Sequence, residues 1–491
     1  MKKILSVILL LAVCVVGSAQ SLEERYRSFQ RSARKTYTDF RAEANARYAK
    51  MLEGKWEQHS ADSTIKPPVR EIDPPVYYEE PPQGEQEEQK ESEMIHYDLY
   101  TASYDTVVAQ PDPLSVILEN RRPTETVDIV FYGTPLSFRA PKMVELKLTN
   151  LRDKKQYSAA WQTLSGEDFD NLLFDCLAAR DKYQLCDYAY LKMLEALSEK
   201  LYGKSNEAVF LKAFLYTQSG YLMKLAYSSS DNRLFMFFAS NHTLYNCKII
   251  VDGDMNYYLL DDDAPDNFFL SPFSFSAQQQ PMSMQINYDQ RLSEDSIKSL
   301  TLASKMGITS SVNINEHLIE FYNNYPKASI NDDILSTYGI YANAPIEKSI
   351  RQTLYPALKK SVSGYSERDA IDKVLNFVQT AFDYKLDEEI WGSDRVFFPL
   401  ETLYYPYCDC EDRSILFSRL VRDLFGNDVV LVHYPGHLAT AVRFESEVHG
   451  DFLMVDGQKY VVCDPAYIGA HVGASQPRYK GETAINIIKL Q

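Results

Sequence analysis

The sequence predicts an α+β protein whose C-terminal part is a cysteine-bearing helix packed on an antiparallel sheet. Two observations predict this. A helix followed by several strands occurs twice, over 206–261 and again from about 414 to 464. The phrases VDGDMNYYLLD and VDGQKYVVCD close the two series, each reading as strand, turn, strand. Duplication of one module and a chance likeness of two hairpins both account for the pair. Under duplication the first copy has no cysteine matching Cys410, and Asp261 is a relic opposite Asp464.

The chain has 491 residues, enough for two to four domains and a sizeable core. Apolar residues make up 45% and charged ones 24%, as in folded soluble proteins. The net charge of −17 excludes a nucleic-acid partner and docking on an anionic membrane. There is no Gly-rich phosphate loop, and no cofactor is expected. The 35 tyrosines suit half-buried strand positions.

Residues 1–19, MKKILSVILLLAVCVVGSA, read as a signal peptide: Lys2 and Lys3, an apolar run over 4–16, then Gly17, Ser18 and Ala19 for cleavage. The expectation is a secreted or periplasmic protein. Val13, branched before Cys14, argues against a lipid anchor. No later stretch is apolar enough to span a membrane. Six cysteines then remain: Cys176, Cys186, Cys247, Cys408, Cys410 and Cys463. An even count in an oxidising compartment invites pairing.

Residues 20–60 form a charged helical arm. Within 21–58, Tyr26, Phe29, Tyr37, Phe40, Ala44 and Tyr48 recur near helical spacing. This face docks on the body or on a partner protein. Residues 61–94 combine paired prolines with a glutamate run and predict an extended, solvated linker. An N-terminal α+β domain is expected over 95–265. It includes strand material at 126–148 and helices near 167–180 and 185–201, with Cys176 and Cys186 flanking the turn between them as buried hydrophobes or a disulfide. The acidic run Asp261, Asp262, Asp263 and Asp266 lacks calcium-loop spacing and reads as a solvated turn. A mostly helical connector follows over 266–345. The last domain, 346–491, starts with helices near 345–358 and 367–382, the second capped by Ser366.

The chemistry gathers at YPYCDCEDRS, residues 405–414. The following SILFSRLVRDLF carries a helical apolar face and stops at Gly426. Cys410 therefore sits at a helix N-terminus, where unpaired N–H groups favour a thiolate. A thiolate needs a base and the base an orienting acid. His437 follows a Pro-Gly turn and opens an apolar strand, and Asp464 ends a later strand. Asp412 caps or charges the helix start, and His433 is structural within VVLVHYP. A zinc site from Cys408, Cys410, Cys463 and His437 has the wrong ligand spacing, so no metal is expected. A Cys408–Cys410 disulfide would be strained. A Cys408–Cys463 disulfide would brace the site and leave Cys410 free.

The order Cys, His, Asp in these surroundings resembles the transglutaminase-like superfamily of papain-like cysteine hydrolases and acyltransferases. The matching motifs are Asp409-Cys410-Glu411-Asp412, Gly436-His437 and Asp464-Pro465, over about residues 366–475. Cys408 departs from the family, which usually has a small non-thiol residue there. The resemblance implies Cys410 as nucleophile, His437 as base and Asp464 as orienter, acting on an amide of a protein or peptide. Water resolves the thioester in a peptidase or amidase, and an amine resolves it in a transglutaminase. Asp409, Trp391 and Tyr405 are candidates for the cleft or the oxyanion site. The competing class is a non-catalytic binding module on the same fold.

Overall fold

The structure, a computed structural model, describes residues 38–61, 65–68, 71–79, 92–97, 101–102, 110–113, 117, 119–142, 144–261, 263–275 and 278–491. Residues 1–37, which hold the expected signal peptide and the first half of the expected helical arm, lie outside the described residues. The fold is mixed α+β, built on two six-stranded sheets.

In the first sheet, helix Asn206–Gln218 leads into strands Met223–Ser228 and Arg233–Ser240, then the hairpin Lys248–Asp252 and Met255–Leu259, then Asn267–Leu270. In the second, helix Cys410–Phe425 leads into Val429–Tyr434 and His437–Val442, then the hairpin Phe452–Val455 and Gln458–Cys463, then Asn486–Lys489. Numbered in chain order within each set, both sheets have the spatial order fifth, first, second, fourth, third, with every pair antiparallel. Each takes a sixth strand from the N-terminal region beside the fifth. Glu57–Ser60 adds antiparallel to the first sheet and Thr101–Ala102 adds parallel to the second.

Local signals explain the second unit. Ser366 caps helix Glu367–Thr380 by accepting the Asp369 N–H. Gly426 ends helix Cys410–Phe425 in the left-handed region at φ +78°. Pro435 and Gly436 make a two-residue turn that sets Tyr434 opposite His437. On the central helix Ile415, Leu416, Phe417, Leu420 and Val421 are fully buried, each worth about 1.5–3 kcal/mol. They belong to one apolar core that runs from Tyr48 and Trp161 through Phe214 and Phe377 to Ile488.

Several expectations need correction. The arm is helical over 38–52 and then becomes strand Glu57–Ser60, so the folded body begins well before residue 95. Its described face docks on the body: Tyr48, Ala49, Leu52 and Trp56 are buried, and Arg41 pairs with Asp170. A partner-binding role for 21–58 finds no free aromatic face in this described part beyond Phe40, 42% exposed. The linker is not simply solvated, because residues 71–79 pair with the second unit. Proline-rich chain has no core of its own, but its backbone can still complete another element's edge. The connector is not mostly helical: it contains strand Asn267–Leu270 and the hairpin Ile297–Ala303 with Thr309–Asn315. Burial alternates along Thr309–Asn315, the period-two pattern of a strand with one buried face. Helix Lys154–Leu164 lies between the expected strand material at 126–148 and the expected helix near 167–180. All six described cysteines are free, so neither Cys408 with Cys463 nor Cys176 with Cys186 forms a disulfide.

Candidate active site

Asp409 is the N-cap of helix Cys410–Phe425, and Cys410 is its first residue. Asp412, three residues past the cap, accepts the Phe397 N–H at 2.8 Å and faces the Asp409 N–H at 3.4 Å. That is the back-bond of a capping box, as expected for Asp412. The helix is pinned to strand His437–Val442 by Ser414, whose hydroxyl donates to the Leu438 carbonyl at 2.8 Å. The Leu438 N–H in turn faces the Cys410 sulfur.

His437 opens that strand beside Tyr434. Continuing the strand register by one residue sets Asp464 opposite Ala439, two residues past His437. The side chains meet: His437 Nε2 lies 3.0 Å from Asp464 Oδ2, which leaves Nδ1 for the nucleophile. Asp464 Oδ1 accepts the N–H groups of Ala466 at 2.9 Å and Tyr467 at 3.1 Å. Burial pushes the Asp464 carboxyl up, but His437, Gln476 and these N–H groups outweigh it and hold it below the usual carboxylate range. Cys410 and His437 line one cavity of about 250 Å³, together with Glu411, Gly436 and Leu438. Cys410 is only 2% exposed and His437 5%.

The thiol is not poised as its helix position suggested. Burial, then the charges of Glu411 and Asp409, push the Cys410 thiol well up, and its S–H donates to Glu411 Oε2 at 3.0 Å. Local carboxylates in a dry site outweigh the half-charge of a helix terminus.

Other candidates fall elsewhere. Trp391 and Tyr405 stack edge to face at 5.3 Å, and Arg395 lies over the Trp391 ring at 4.2 Å. They form an aromatic patch and do not line the Cys410–His437 cavity. Asp409 is fully buried at the helix start, and burial, with the charges of Glu411 and Asp412, pushes its carboxyl well up. Cys408 accepts from Arg413 Nε at 3.3 Å. His433, in strand Val429–Tyr434, also reaches the cavity wall. Cys408, Cys463 and His437 form no metal-ligand group with Cys410. The described residues do bring Asp409, Cys410 and Glu411, and separately Asp387, Asp394 and Glu411, to within 4.8 Å, spacing that could hold a cation.

Sequence reasoning missed several neighbours. Gln476 Nε2 donates to Asp464 Oδ2 at 2.9 Å and lies 3.1 Å from His437 Nε2. Tyr479 stacks on the His437 ring at 5.2 Å and 13°. Gln379 holds the Asp464 loop by donating to the carbonyls of Asp464, Tyr467 and Ala470 at 2.9–3.1 Å. None carries a signal in sequence, since a glutamine or tyrosine remote in the chain becomes a site residue only by folding.

The first unit has a counterpart of each triad position. Asn206 is the first residue of its helix, as Cys410 is of the other. Continuing its register by three residues sets Asp261 opposite Phe235, two residues past Arg233. Arg233 Nη2 pairs with Asp261 Oδ2 at 2.7 Å, where the second unit has His437 and Asp464. Asn206, Arg233 and Asp261 line a cavity of about 620 Å³. No protein-family model matches this chain, and no curated protein matches its sequence.

Proposed function

We propose that the second unit is a cysteine-dependent peptidase or amidase, in line with the resemblance to the transglutaminase-like superfamily. The observation that carries it is the shared cavity wall of Cys410 and His437, with Asp464 holding Nε2 of His437 from behind. His437 takes the Cys410 proton, and Asp464 fixes the tautomer and stabilises the imidazolium. The thiolate attacks an amide carbonyl, and the Leu438 N–H and the helix N-terminus are the donors nearest the developing oxyanion. The C–N bond breaks as His437 returns the proton to the leaving amine. Water, deprotonated by His437, then cleaves the thioester and regenerates the thiol. An amine in place of water gives acyl transfer by the same steps. The first unit we take as a copy of this module without its chemistry, since Asn206 cannot act as the nucleophile and Arg233 cannot act as a base at neutral pH.

The test incubates the chain lacking residues 1–19 with a denatured protein pool and sequences new amino termini by mass spectrometry. Termini that appear with wild type and vanish with Cys410→Ala support the proposal. The same termini from both proteins, or none even when Asp73→Ala with Tyr78→Pro loosens residues 71–79 from the site, would leave a binding module.

A further inference from the structure

The cavity over Cys410 is roofed by the chain's own N-terminal segment. Pro68, Glu71 and Ile72 line it together with Cys410, Glu411 and His437. Beyond them the segment is tied down at its backbone. The Asp73 N–H donates to the Gly436 carbonyl at 2.9 Å, next to His437. Tyr384 directs its hydroxyl at the Asp73 carbonyl at 3.5 Å, the long limit of a hydrogen bond. Arg478 Nη2 donates to the Pro74 carbonyl at 3.3 Å. Val76–Tyr77 pairs in parallel with Tyr467–Ile468, three residues past Asp464, and the Tyr78 N–H donates to the Ile468 carbonyl at 2.9 Å.

One side chain is read specifically. Asp73 Oδ2 accepts the Tyr479 hydroxyl at 2.6 Å and lies 3.3 Å from Arg478 Nη1. Tyr479 is the ring stacked on His437, so the anchor reports directly on the base. Gly436 is matched to this occupant: at φ +74° a Cβ there would sit 3.0 Å from the Glu71 carbonyl oxygen.

Backbone pairing along an edge, one charged anchor and a pocket for an aliphatic side chain are how an extended polypeptide is recognised. The prolines at 67, 68, 74 and 75 hold the segment extended and lower its ordering cost. A fixed wall would serve as well built from the unit's own loops, and it would block every amide from reaching a nucleophile that is 2% exposed.

We infer that residues 66–68 and 71–79 lie in the substrate groove, which takes an extended polypeptide with an aliphatic–Asp–Pro sequence, and that the site is closed until this segment leaves. The inference rests on Cys410 being the nucleophile of an amide-cleaving site.

The test is iodoacetamide labelling of Cys410 in the full mature chain at pH 7.5, read by peptide mass spectrometry. The variant Asp73→Ala with Tyr78→Pro removes the anchor and one edge hydrogen bond. Labelling should rise about tenfold or more, since each lost bond is worth roughly a factor of ten. A synthetic KPPVREIDPPVYYE peptide should slow it again, and the same peptide with alanine for its aspartate should not. Unchanged labelling in a variant with wild-type circular dichroism overturns the inference. Should the variant misfold, hydrogen exchange on wild type decides. Amides of Asp73 and Tyr78 exchanging far faster than those of Val429–Tyr434 support a displaceable segment, and equal protection makes it a wall. Faster labelling and peptide competition without any cleavage would sink the peptidase proposal and keep the groove. Cleavage with no competition would do the reverse.

Discussion

The two sheets share strand order and the placement of three polar residues, yet only one carries a cysteine and a histidine there. Cys410, His437 and Asp464 in the second stand where the first has Asn206, Arg233 and Asp261. The first set keeps an ion pair but has neither a thiol nor an imidazole. Arg233 still reaches Asp261 at 2.7 Å, but a guanidinium stays charged and cannot shuttle a proton. Access runs the other way. The first unit keeps a cavity of about 620 Å³ at the equivalent place, whereas the second is reduced to about 250 Å³ under Pro68, Glu71 and Ile72. Under the proposed function, residue types at three positions would supply the chemistry, and whatever crosses them would govern access.

The largest expected effect separates the nucleophile positions. Cys410→Ala should lower peptide cleavage by about 10,000-fold or more, while Asn206→Ala leaves kcat unchanged in the same assay. Equal losses would mean the first unit takes part in the reaction.

The acids come next. Asp464→Asn should cost roughly 1,000- to 10,000-fold in kcat, because His437 loses its tautomer and its counter-charge. Asp261→Asn should leave kcat alone and shift stability by no more than about 1 kcal/mol, since Arg233 is 43% and Asp261 29% exposed. A large stability loss there would show the first ion pair to be structural.

A pH lever tests whether the units melt together. Glu347 is buried and accepts the Tyr322 hydroxyl at 2.7 Å, with Arg351 close enough to favour its charged form only weakly. Burial pushes its carboxyl up to about 7. The folded state thus favours the protonated form, so its stabilisation is full below about 4.5 and is lost as pH rises towards 7. Glu347→Gln should remove up to about 3 kcal/mol of this pH dependence, read from melting curves at pH 4.5 and 7.5. Because one core spans both sheets, a single transition is expected throughout. Two transitions would mean the units fold separately.

The smallest effect belongs to Gln476→Ala. Losing one orienting hydrogen bond to Asp464 should lower kcat/KM about tenfold and leave melting almost unchanged.

Much of the second unit could be read directly. The apolar stripe of its central helix, the Ser366 cap, the Gly426 stop and the Pro435-Gly436 turn are local signals, and each places an element within a few residues. Cys410, His437 and Asp464 followed from their positions at the ends of those elements. The likeness of VDGDMNYYLLD to VDGQKYVVCD pointed to the repeated hairpin, but strand order was needed to align Arg233 with His437. Helix Asn206–Gln218 begins with asparagine, so nothing in its own sequence marks that position as equivalent to a nucleophile's.

Sequence by itself determined what local periodicity and residue chemistry can encode: most helices of the second unit, its strands, the turn glycines and a thiol, an imidazole and a carboxylate in order along the chain. Tertiary structure decided everything that depends on distance between remote segments. It set Gln476 and Tyr479 around His437, turned Glu411 onto the Cys410 thiol, and laid residues 71–79 along Tyr467–Ile468. The physical reason is that a proline-rich stretch or a lone glutamine has no preferred partner until folding supplies one. Backbone hydrogen bonds and low-dielectric electrostatics act only once the groups are within a few ångströms.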